Sequence, residues 1–257
     1  ARMQTLMPDS LYAEAVRTLA TSVALAGMEQ DMKVVAVSSA MDDEGKTAVA
    51  CNLAAALATT RRVLLLDADL RRPAVSTIMG LPPGTPGLVQ LLTRRASLDQ
   101  CVKGVRSSSL RVLPAGRAAS NALDLLMSSR FDKLIAELKK HFDTIIIDCP
   151  PVQLVSDTLV LGRAASSMIF VARSDSTPLQ VIRRALHRID KAGIPILGVV
   201  LNAHDFAQAD RFYGESSGYG HDYAYAYGRS GDRRRSSGSR SSSVPTVTQV
   251  APDTQTT

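Results

Sequence analysis

The chain has 257 residues, 45% of them hydrophobic, so it can bury one core of ordinary size beside a polar tail. Its formal charge is +6, but +3 of this sits at residues 228–257, where Arg229, Arg233, Arg234, Arg235 and Arg240 face only Asp232 and Asp253; the body is nearly balanced, which argues against a nucleic-acid-binding face. No apolar run approaches the ~18 residues of a membrane span, no leader precedes the body, and three cysteines without metal-ligand spacing suit reduced core thiols of a cytoplasmic protein.

Residues 9–28 read as an amphipathic helix, with Asp9 or Ser10 as N-cap and Gly27 near its end. The apolar run Val34 to Val37 then drops into a polar loop that leaves as Gly45-Lys46-Thr47 and a helix over 45–59. Strand, loop and helix in that order form a phosphate cradle. Backbone N–H groups and a helix N-terminus meet the anion, Lys46 reaches the outer phosphates, and the Thr47 hydroxyl meets Mg²⁺. Ala40 stands where the P-loop pattern asks for Gly, and Asp42 and Asp43 set two carboxylates where phosphate should lie.

The second strand, Val63 to Leu66, is a continuous apolar run ending in Asp67-Ala68-Asp69. Carboxylates just past a buried strand mark the ligand edge of an open α/β sheet. Short helical patterns and turns fill 74–142, with a strand over 110–113 and a helix over 129–141. Three isoleucines, 145–147, then run into Asp148, the arrangement in which a carboxylate holds a nucleotide's Mg²⁺. A helix over about 155–164, a strand over 167–172, a helix over 178–192 and a strand over 196–201 ending at Asn202 complete the body. Alternation of this kind predicts an α/β fold, a mostly parallel sheet with helices on both faces. Beyond 203 the periodicity fades, and both 206–227 and 228–257 read as poorly ordered tails. Five of the six tyrosines crowd into the first of these: Tyr213, Tyr219, Tyr223, Tyr225 and Tyr227.

Taken together, SSAMDDEGKT (38–47), LLLDADLRRP (64–73), TIIIDCPP (144–151) and the terminal tyrosine cluster resemble the cytoplasmic domain of bacterial tyrosine kinases that regulate capsule and exopolysaccharide export. EAVRTLATS (14–22) and GIPILGVVLN (193–202) extend the likeness to residues 10–227. The resemblance implies a P-loop ATPase fold with a deviant Walker A loop, residues 1–30 as a helix packing on or linking protomers, and a kinase domain over 31–205. It also implies ATP and Mg²⁺ as cofactors, with autophosphorylation of a neighbour's tyrosine cluster. Asp43, Glu44, Gly45, Lys46, Thr47 and Ala48 would hold the phosphates and Asn202 the adenine. Lys46, Asp67 and Asp69 would be catalytic, with Asp67 the base towards the acceptor tyrosine; Thr47, Asp69 and Asp148 would hold the metal. Glu14 and Arg17 would serve oligomerisation.

The implied partners are a second copy, a membrane co-polymerase that activates the kinase, and a tyrosine phosphatase. They place the protein at the inner face of the plasma membrane, through a partner or a membrane segment elsewhere in the protein. Two positions depart from the family pattern: Asp43 replaces a glycine, and Ala20 replaces the second arginine of E-x-x-R-x-x-R. The acidic loop motivates one alternative, a pseudokinase regulator of the same co-polymerase, and the shared fold another, a partitioning-type ATPase switch. The tyrosine cluster and the lack of an early P-loop lysine argue against the latter.

Overall fold

Each apolar run of the body becomes a strand of one sheet in the computed structural model, which describes residues 10–30, 32–105, 108–204 and 244–248. The strands are β1 (Val34–Ser39), β2 (Val63–Asp67), β3 (Lys103–Gly104), β4 (Leu110–Leu113), β5 (Thr144–Asp148), β6 (Ser167–Arg173), β7 (Ile196–His204) and β8 (Val244–Thr248). Their order across the sheet is β3-β4-β2-β5-β1-β6-β7-β8. All neighbours are parallel except β3 with β4 and β8 with β7. β1, β2 and β5 are wholly buried along their length, which is why they read as unbroken apolar runs rather than as alternation.

Successive side chains leave opposite faces of each strand and so feed two cores. On one face, Val35, Val37, Leu65 and Ile146 meet α1 (Leu11–Gln30), α2 (Lys46–Leu57) and α3 (Val75–Met79). On the other, Leu64, Leu66, Ile145 and Ile147 meet α4 (Leu88–Leu92), α5 (Leu98–Cys101), α6 (Ala122–Leu126), α7 (Ser129–His141), α8 (Asp157–Ala164) and α9 (Leu179–Lys191). Ser10 caps α1, its Oγ accepting the Ala13 N–H at 3.2 Å. The helix runs through Gly27 to Gln30 rather than stopping at it, and it lies on α2 with Val16, Leu19, Ala20 and Val23 in the core. Burial of Val16, Leu19 and Val23 is worth roughly 1.5–3 kcal/mol each, and that of the Ala20 methyl less.

One sequence reading is corrected. The stretch 244–248, read as part of an unpatterned tail, forms β8 and pairs antiparallel with β7. The tyrosine cluster and the rest of the region beyond His204 lie outside the described residues. Among the described residues no helix is long and apolar enough to cross a membrane.

Cys51, Cys101 and Cys149 are all free and buried. Burial, and behind it the charge of Asp148, pushes the Cys51 thiol up to about 12 and Cys149 well above its ordinary value. Since only the thiolate is nucleophilic, the folded protein is expected to leave all three thiols unmodified by an aromatic disulfide reagent at pH 8, and to release three equivalents in denaturant. A rapidly reacting thiol in the native state would contradict this packing.

Candidate functional site

Three of the loops identified in the sequence leave the sheet side by side, because β5 lies between β2 and β1. Asp148 is in register with Val37 on one side and with Asp67 on the other. The carboxyl ends of these strands therefore bring together the loop after β1, the Asp67-Ala68-Asp69 turn and Asp148. α2 starts at the same point, so its N-terminal partial positive charge faces the same space.

The loop 40–46 is held from several sides. Gly45 adopts φ 88°, and a Cβ there would stand 2.0 Å from Asn202 Nδ2, so only glycine fits. Asn202, at the carboxyl end of β7, donates from Nδ2 to the Glu44 carbonyl at 2.9 Å. Its contact is with the loop backbone. The Glu44 side chain is buried; its Oε2 accepts the Met41 N–H at 2.6 Å and its Oε1 accepts from the Thr177 hydroxyl. Arg173 donates to the Asp43 carbonyl at 3.0 Å. Ala48 follows exposed in the first turn of α2.

The two acidic residues of the loop fare differently from the expectation that both occupy phosphate space. Asp42 turns to Arg72, with Oδ2 2.6 Å from Nη1, and so takes its charge to the next loop. Asp43 is exposed and adopts φ 62°, a left-handed conformation that costs a non-glycine residue roughly 1–2 kcal/mol. Asp43→Gly is accordingly expected to raise stability by about 0.5–1 kcal/mol. It is also expected to tighten Mg·ATP binding severalfold in a calorimetric titration. Unchanged affinity would place the Asp43 carboxylate away from the phosphates.

Lys46 is the hub. It is almost buried; its Nζ lies 3.2 Å from Asp69 Oδ2, 3.9 Å from Asp148 Oδ1 and 3.3 Å from the Thr47 hydroxyl. Burial works against its charge, but Asp148, then Asp69 and Asp67, outweigh that and raise its pKa. Asp67 is fully buried; Oδ1 accepts the Asp69 N–H at 3.2 Å and Oδ2 the Val75 N–H at 3.1 Å. Desolvation first, then the Asp148 charge, push its carboxyl well above the usual range in spite of those donors. Asp69 accepts two more backbone N–H groups at Oδ1, from Arg71 at 3.3 Å and Arg72 at 2.9 Å.

Neither oxygen of Asp148 receives a hydrogen bond of good geometry, although both are buried. Burial raises its pKa to about 6, opposed by Lys46 and Thr47. An unsatisfied buried carboxylate beside a threonine hydroxyl is a donor set for a hard cation that also ligates phosphate oxygens, and so fits Mg²⁺. Among the described residues no three acidic, His or Cys side chains form a cage for a metal on their own. The remaining expected residues, Glu14 and Arg17, lie apart on α1 and pair with each other at 2.5 Å on its exposed face.

Sequence reasoning assigned no role to four side chains that shape this site: Arg71, Asp157, Arg173 and Thr177. Arg71 stood inside the DADLRRP string. The others carried no local signal, because their partners are distant in sequence.

A family model of the AAA domain matches residues 32–193. The tyrosine-protein kinase wzc of Salmonella typhimurium is 33% identical over 219 residues, 85% of this chain and 29% of that protein. The succinoglycan biosynthesis transport protein ExoP of Rhizobium meliloti is 34% identical over 228 residues, 86% of this chain and again 29% of the relative. The chain thus spans under a third of either relative's length. Among solved structures, the VpsO kinase domain superposes with a TM-score of 0.70 at 38% identity, covering 78% of this chain and 98% of that domain.

Proposed function

Because this chain belongs to the bacterial tyrosine-protein kinases, we propose that it is an ATP-dependent protein-tyrosine autokinase. Its acceptors are Tyr213, Tyr219, Tyr223, Tyr225 and Tyr227 of a neighbouring copy. The observation that carries this reading is Lys46 suspended between Asp69 and Asp148 at the tips of adjacent strands. The sequence supplies five clustered tyrosines to go with it.

In this reading Mg·ATP supplies an activated phosphoryl group. The N–H groups at 43–48 and the start of α2 hold its phosphates, and Lys46 neutralises the charge that spreads over the transferred group. Thr47, Asp69 and Asp148 would hold the Mg²⁺, which would supply charge neutralisation on the phosphate oxygens. Asp67 aligns the incoming tyrosine hydroxyl and takes its proton as the oxygen attacks phosphorus and the bond to the leaving phosphate breaks. A phenol with pKa near 10 parts with its proton late in the transfer, so a carboxylate that aligns it can help without removing the proton early. Asn202, whose Nδ2 is taken up by the Glu44 carbonyl, would have only its amide oxygen to offer the adenine.

The process served is exopolysaccharide chain-length control and export, in line with the name of ExoP. A membrane co-polymerase activates the kinase at the inner face of the plasma membrane, and a tyrosine phosphatase reverses the modification. The exposed Glu14–Arg17 pair contributes to contact between copies.

Intact-protein mass after incubation with saturating Mg·ATP tests the reading, using the full chain and a full-length variant with Tyr213, Tyr219, Tyr223, Tyr225 and Tyr227 replaced by Phe, which keeps β8. Several phosphate increments in the former, and none in the latter, are expected. Nucleotide binding without increments would overturn it and leave a pseudokinase.

A further inference from the structure

The loop that carries Asp69 is tied down from outside the catalytic cluster. Arg71 sends its guanidinium to Asp157, with Nε 2.9 Å from Oδ2 and Nη2 3.2 Å from Oδ1. Asp157 is 1% exposed, in the first turn of α8, whereas the Arg71 side chain is 41% exposed. A forked pair with one wholly buried member fixes geometry better than an exposed one. The neighbouring Arg72–Asp42 bridge, with Arg72 78% exposed, belongs to the class of surface pairs worth little.

What this pair holds is specific. Asp69 Oδ1 is oriented by the backbone N–H groups of Arg71 and Arg72, so the Asp69 carboxylate stays aimed at Lys46 only while that short turn keeps its shape. Leu70 anchors the turn from beneath through its carbonyl, which accepts the Ala119 N–H at 3.0 Å, but that contact precedes both donors to Asp69. On the far side, α8 is joined to the chain just after Asp148. The Thr158 hydroxyl donates to the Pro150 carbonyl at 2.5 Å, and the Ser38 hydroxyl donates to the same oxygen at 2.7 Å. An unbroken path thus runs from Asp148 through Pro150, Thr158 and Asp157 to Arg71 and Asp69.

We propose that Asp157 is a positioning residue for phosphoryl transfer, acting through Arg71 to hold the Asp69 turn in register with the Asp148 strand. For its activity arm this rests on the kinase reading above. The structural arm does not.

The test compares wild type with Asp157→Asn, Arg71→Lys and the double variant, in the full chain. In nucleotide-free protein, amide exchange at residues 69–75 is expected to rise about tenfold in each single variant, while β5 amides and the thermal midpoint stay near wild type. In the active enzyme kcat should fall about tenfold with KM for ATP within twofold, and the double variant should be no worse than the poorer single, as coupled partners require. Unchanged exchange at 69–75 would overturn the proposal. So would unchanged kcat despite faster exchange, additive losses, or losses that track the unfolded fraction. Should wild type transfer no phosphate, the kinase reading falls by itself. The Mg²⁺ dependence of nucleotide binding then decides: a severalfold rise in the Mg²⁺ needed by Asp157→Asn supports the role of Asp157, and an unchanged requirement overturns it.

Discussion

Lys46→Ala is expected to lower phosphate incorporation by about 10³-fold at saturating Mg·ATP, the largest effect of any single side chain here. The magnitude follows from position. Lys46 is the cation nearest both Asp69 and Asp148, and its ammonium sits in a largely desolvated space where a charge interacts more strongly than in water. Removing it takes away stabilisation of the transferring group and also leaves buried carboxylates facing one another. The variant should therefore lose stability as well, by about 2–4 kcal/mol, since an uncompensated buried charge is costly. Mass spectrometry for transfer and urea denaturation for stability read the two losses separately. Retention of transfer within tenfold would remove Lys46 from the reacting centre, whatever happened to the fold.

Gly45→Ala ranks second and attacks the backbone instead of the charge. The φ of 88° costs an alanine roughly 1–2 kcal/mol, and the new methyl would stand 2.0 Å from Asn202 Nδ2. Asn202 cannot swing aside freely, because it donates to the Glu44 carbonyl. Loop and asparagine must separate, and the N–H groups of the cradle lose their common aim. Nucleotide affinity is expected to fall at least about 100-fold, with about 2–4 kcal/mol of stability. Adding Asn202→Ala should return part of the stability by removing the clash, but little affinity, since the φ penalty remains. Wild-type affinity in Gly45→Ala would show that nucleotide binds elsewhere.

The contrast between these two positions marks what was legible in the sequence. β1, β2 and β5 could be read directly, because strands buried on both faces must be continuously apolar and their polar ends stand out; α7 matches its reading at both ends, Ser129 and His141. Asp67, Asp69 and Asp148 were singled out for that reason and Lys46 and Thr47 by the Gly-Lys-Thr pattern of the loop, and the fold sets all five side by side. β3, two residues long, and β8, whose VPTVT run contains a proline, carried too little pattern to be distinguished from loop. The supports of the site were illegible on other grounds. Glu44 with Thr177, Arg71 with Asp157 and Asn202 with Glu44 are separated by 133, 86 and 158 residues, and nothing local in either partner announces the other. Asp42 shows the same limit from the opposite side. Its sequence position suggested a charge set against phosphate, and only the neighbouring loop supplies the arginine that turns it away.

The pairing of β2 with β5, which sets Asp67 opposite Asp148, has a consequence for how such a protein can diversify. Two residues in register on adjacent strands are spaced by the hydrogen-bond lattice, about 4.8 Å between strands, and no change in the loops beyond them alters that interval. The sheet thus acts as a ruler for this carboxylate pair. Loop sequences after residues 69 and 149 can be rewritten while the interval between Asp67 and Asp148 is inherited intact.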